Sequence, residues 1–96
     1  MLLGDIIARL QDDAVAGEAL FALGDLPLTA RVLAAAREAA MPPGEFTAQL
    51  VGRFVRSASD EDWLTLIGRM GRADDPGRMF LHHVLSDMLA KQSAGH

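Results

Sequence analysis

Apolar residues recur along this chain at intervals of three and four, the period of an amphipathic helix. Leu3, Ile6, Ile7, Leu10 and Ala14 make the first stripe, with Asp5, Arg9, Gln11 and Asp12 facing away. The phase then slips to Val15, Ala19, Leu20 and Leu23, and Asp12 or Asp13 can cap a new helix at the slip. The pattern predicts two short helices, over 2–11 and 13–23, with one bent helix as the alternative. Gly24-Asp25-Leu26-Pro27 is the clearest first break. Glycine is favoured just past a helix end, aspartate caps the next start, and proline is tolerated in a first turn. A third helix then runs to about Ala40, with Leu28, Val32, Ala35, Ala36 and Ala39 on one face. Those alanines have high helix propensity and let a neighbouring helix approach closely.

Met41-Pro42-Pro43-Gly44 interrupts the third helix, because an interior proline costs about 3 kcal/mol and the residue before it avoids helical geometry. A fourth helix follows, with Phe46, Leu50, Phe54 and Ala58 in phase and Val51 and Val55 beside them. Ser59-Asp60-Glu61-Asp62 reads as a helix start, with Ser59 accepting from the third backbone N–H and the acids opposing the positive end of the helix dipole. The fifth helix carries the stripe Trp63, Leu64, Ile67 and Met70. Asp74-Asp75-Pro76-Gly77 breaks it, with Asp75 as the cap of the last helix. That helix spans about 76–91 and buries Phe80, Leu81, Val84, Leu85, Met88 and Leu89, leaving 92–96 as a frayed tail. No segment alternates at the strand period over more than a few residues. The expectation is one all-α domain, 1–91, of five or six short helices packed as antiparallel pairs, a layout shared with α-solenoids.

Composition narrows the classes. Alanine and leucine fill 30 of the 96 positions, cysteine, tyrosine and asparagine are absent, and the formal net charge is −4. Without cysteine there is no disulfide framework and no thiolate metal site. A basic, apolar leader and an apolar run of about 20 residues are both missing, which points to the cytoplasm and away from a membrane. Arg53, Arg56, Arg69, Arg72 and Arg78 fall close together, but Asp60, Glu61, Asp62, Asp74 and Asp75 interleave with them. A phosphate-binding face needs an uninterrupted basic patch, so the pattern argues against nucleic acid.

Two stretches share a layout. DAVAGEALFALGDLP at 13–27 and DEDWLTLIGRMGRADDP at 60–76 each run from acids through a helix to glycine, aspartate and a helix-opening proline. Aligning Gly24 with Gly71 pairs Leu20 with Ile67 and Leu23 with Met70. The segment from Ile7 to Ala36, through Leu10, Asp13, Val15, Ala19, Ala22, Leu23 and Gly24, resembles a HEAT-like helical repeat. The resemblance implies apolar seams between paired helices, a turn at the glycine, and a scaffold that binds other proteins.

Candidate chemistry is sparse. His82 and His83 share the polar arc of the last helix with Met79, Ser86 and Asp87, and a carboxylate one turn from a histidine can orient its ring or join it on a metal. A site needs three or four converging ligands, whereas adjacent histidines diverge by about 100° on a helix. The acids at 60–62 and 74–75 are explained as first-turn charges and a cap. The only lysine, Lys91, follows no glycine-rich loop, and no serine sits in a GxSxG setting. These absences predict no catalytic residue and no cofactor. The expected role is a non-enzymatic interaction or adaptor module that binds a protein partner or itself, with Trp63, Met79, Arg53 and Arg56 as contact candidates. The alternative is a bundle binding a metal or small ligand through His82, His83 and Asp87.

Overall fold

Side-chain caps start four of the helices. In the computed structural model, which describes residues 3–94, six α-helices follow one another: α1 (Leu3–Leu10), α2 (Asp13–Phe21), α3 (Leu26–Glu38), α4 (Pro43–Ser57), α5 (Asp60–Gly71) and α6 (Pro76–Ala94). The slip after Leu10 is a true break, because the Asp12 carboxylate accepts the Ala14 and Val15 N–H groups and starts α2. Asp25 accepts from Leu28 N–H at 3.0 Å to start α3. Ser59 and Asp62 form a reciprocal capping box on α5, and Asp75 accepts from Arg78 N–H to start α6. Gly24 sits at φ 79°, the left-handed conformation that lets the chain reverse between α2 and α3.

The end of α3 uses the same geometry without the glycine. Met41 N–H returns to the Ala36 carbonyl and Ala40 N–H to that of Arg37, both at 3.0 Å, the paired bonds of a Schellman motif. Ala40 therefore takes φ 56° despite its Cβ, while Met41 tucks against the core. Ala39 is the exposed C-cap rather than part of the buried face expected for it.

Helix α4 is the centre of the packing. Phe46, Thr47, Ala48, Leu50, Val51, Gly52 and Phe54 are buried along it, and α1, α2, α3 and α6 all rest on it. Its most extensive partner is α2, and the crossing is made by glycine on glycine. A Cβ on Gly44 would lie 2.3 Å from the Asp13 carbonyl oxygen, while one on Gly17 would meet Gly44 Cα at 3.4 Å. Farther along α4, the fully buried Phe54 ring takes three aromatic neighbours edge-on: Trp63 at 5.2 Å, His83 at 6.0 Å and Phe80 at 6.4 Å. That cluster ties α4 to α5 and α6. Consecutive helices also pack as α1 with α2, α3 with α4 and α5 with α6, and α2 reaches α6, so the first and third pairs meet. Among the described residues no helix is long and apolar enough to cross a membrane.

Two expectations change. Helix α6 continues to Ala94, past the predicted end near residue 91; the final residues of the expected frayed tail lie outside the described ones. The buried face of α5 is Trp63, Leu66 and Met70, not Trp63, Leu64, Ile67 and Met70. Leu64 is 70% and Ile67 50% exposed, and Leu66 fills the core instead. The capping box and the Trp63–Phe54 contact fix the rotation of α5, which carries apolar residues on more than one side. The alignment of the two similar stretches fails at the same place, since Leu20 is fully buried and Ile67 is not.

Two pairs of variants test this account. Gly44→Ala forces the α2–α4 backbones apart and lowers stability by about 1–3 kcal/mol, whereas Gly17→Ala is neutral or stabilising by up to about 1 kcal/mol, as read by urea unfolding. Ala40→Gly raises stability by roughly 0.5–1 kcal/mol, because the left-handed position favours glycine, and Ala39→Gly at the neighbouring cap does not.

Candidate functional site

The two similar stretches end in turns, and the fold brings those turns together. The α2–α3 turn contributes Leu23, Gly24, Asp25, Leu26 and Pro27, and the α5–α6 turn contributes Arg72 to Asp75. With Arg78, Met79 and His82 from α6 they enclose an open cleft of about 820 Å³. One polar contact spans it. His82 Nε2 donates to Asp25 Oδ2 at 2.9 Å, joining residues 57 positions apart. Asp25 thus caps α3 with one oxygen and receives the imidazole on the other. The Leu28 backbone N–H, followed by the His82 ring, holds its carboxyl below the ordinary aspartate value. Thr29 adds a tie from α3 to the end of α2, donating to the Leu20 carbonyl at 3.4 Å.

The apolar part of the cleft is Leu26, Pro27 and Met79 above the buried Leu23. Leu26 is 82% exposed, the most exposed large apolar side chain among the described residues, and Phe21 on the other side of the turn is 65% exposed. Leu26 is out of phase with Leu28, Val32 and Ala36, so its separation from the core is written in the spacing. The Asp25–His82 pair has no such signal, because nothing local links the two positions.

The sequence candidates go to separate places. His82 turns to Asp25. His83, the next residue, packs its ring on Phe54, and Arg69 Nη1 donates to its Nδ1 at 3.3 Å. Asp87 lies 3.1 Å from Lys91 Nζ, which also reaches Asp62 across to α5 at 3.8 Å. His82, His83 and Asp87 therefore do not converge, and among the described residues no group of three histidine or acidic side chains is placed to hold a metal. Met79 lines the cleft. Trp63 is half-buried against Phe54, while Arg53, in contact with Gln49 at 3.3 Å, and Arg56 are exposed on α4. Neither arginine borders the cleft.

Comparison with protein-family models, with curated proteins and with solved structures returns no match.

The arginine contact also fixes the protonation of His83. A guanidinium only donates, so Nδ1 must accept, and the ring proton sits on Nε2. Burial, and then the nearby Arg69 charge, push the His83 pKa below its ordinary 6.5. Between the lowered folded-state value and 6.5 the unfolded chain binds more protons, so stability falls as pH drops through that window. A urea midpoint measured below that window is lower than one measured above it. In His83→Gln, which keeps an acceptor for Arg69 without titrating, the difference shrinks; an unchanged difference would assign the effect to another group.

Proposed function

We propose that this chain is a non-enzymatic protein-interaction module, and that the cleft between the α2–α3 and α5–α6 turns receives a short segment of a partner protein. The observation that carries the reading is Leu26, held 82% exposed on the lip of that cleft beside Pro27 and Met79. Leaving a leucine in water forgoes about 1.5–3 kcal/mol of burial, and a partner side chain seated there recovers it. Charged groups of both signs line the cleft beside the apolar strip: Arg72 and Arg78 with Asp25, Asp74 and Asp75. Such a rim suits a segment that presents an apolar anchor flanked by polar residues.

The chemistry of the lining supports binding over catalysis. His82 and Asp25 form an imidazole–carboxylate pair, but the cleft residues include no hydroxyl, thiol or amine nucleophile for that pair to activate. The resemblance of residues 7–36 to HEAT-like repeats points the same way, since that architecture serves as a protein-binding scaffold.

Selection from a displayed peptide library tests the reading, with light scattering over a wide concentration range alongside it. Selected peptides carry an apolar anchor, and Leu26→Asp weakens them at least about tenfold without changing the melting temperature, because Leu26 contributes little to the core. Leu64→Asp on the outer side of α5 leaves binding intact. Dimerisation that Leu26→Asp abolishes would name a second copy as the occupant. A chain that stays monomeric and selects no peptide sensitive to Leu26→Asp overturns the proposal.

A further inference from the structure

A second, smaller cavity of about 280 Å³ opens next to the cleft, between α1, α2 and the first turns of α6. Its floor is Ile6, Leu10 and Leu81, continued outward by Val15 and Ala19. Its rim carries Arg9, Arg78 and one acid, Asp75. The acid is committed: Asp75 Oδ1 accepts the Arg78 backbone N–H at 3.1 Å and faces the positive end of α6. Neither guanidinium is paired with a carboxylate among the described residues, whose ion pairs involve only His82 and Lys91 as cations. An apolar trough bordered by two arginines that have no carboxylate partner is complementary to a molecule with a hydrocarbon tail and an anionic head.

We propose that the α1–α2–α6 cavity binds an aliphatic carboxylate of medium chain length, with its tail on Ile6, Leu10 and Leu81 and its head between Arg9 and Arg78. The volume sets the class. It lies just under the roughly 300–1,000 Å³ of pockets that bury drug-sized ligands, enough for one unbranched chain and too little for the side of a folded partner. The planar guanidinium fork matches a carboxylate better than it matches a neutral hydroxyl, so the head group determines selectivity as well as affinity. The cavity does not depend on peptide binding in the cleft, although Asp75 and Arg78 border both.

The test is calorimetric titration of the full chain with decanoate below its micellar concentration, paired with backbone amide NMR. The expected result is saturable one-to-one binding, with shifts confined to α1, α2 and the start of α6. Affinity rises roughly fourfold for each added methylene until the trough is filled. Decanol binds at least about tenfold more weakly than decanoate, and the double variant Arg9→Gln/Arg78→Gln removes that preference while leaving the melting temperature unchanged. Ala22→Trp, placed at an exposed position on the rim, blocks entry. Non-saturable binding, equal affinity for decanol and decanoate, or shifts centred on the other cleft would overturn the proposal.

Discussion

The α2–α4 crossing is the constraint on which the other placements depend. Gly44 lacks the side chain that would otherwise hold the backbones apart, because the Asp13 carbonyl occupies the space its Cβ would need, and Gly17 of α2 lies against it. With that contact made, Ala16, Leu20, Leu50 and Val51 are buried around it. Helix α4 can then serve as a common support for α1, α3 and α6, with its far end free to carry the Phe54 cluster. A wider crossing would open the seam along α4 and leave voids, and the destabilisation from each void grows with its volume.

Much of this architecture was legible because it is local. Helix starts at Asp25, Ser59 and Asp75 depend on one side chain and a backbone N–H three positions away, so spacing alone finds them. The reversal at Gly24 is local in the same sense. Gly44, by contrast, reads as the tail of a proline break, and only the approach of α2 reveals that its missing Cβ matters. Ala40 carries no mark at all, since the Schellman bonds impose the left-handed geometry on a residue that does not favour it.

The candidate site follows the same division. The exposed position of Leu26 can be inferred from its phase, and the histidine pair is conspicuous in the chain. What the histidines touch is not. Each adjacent ring is claimed by different neighbours, Asp25 for one and Arg69 with Phe54 for the other, and all three lie beyond the reach of local spacing. The misplaced stripe on α5 has a similar origin. Leu64, Leu66 and Ile67 offer more than one apolar face, and the docking of Trp63 on Phe54 selects among them.

Trp63 is the only tryptophan in the chain, and it meets Phe54 where α5 approaches α4. Its fluorescence is therefore a local gauge, sensitive to whether α5 is seated rather than to the helical content of the whole molecule. If α5 detaches before the α2–α4 pair separates, emission and circular dichroism will trace different curves. The protein thus carries an intrinsic probe for whether its folding is one cooperative event or two.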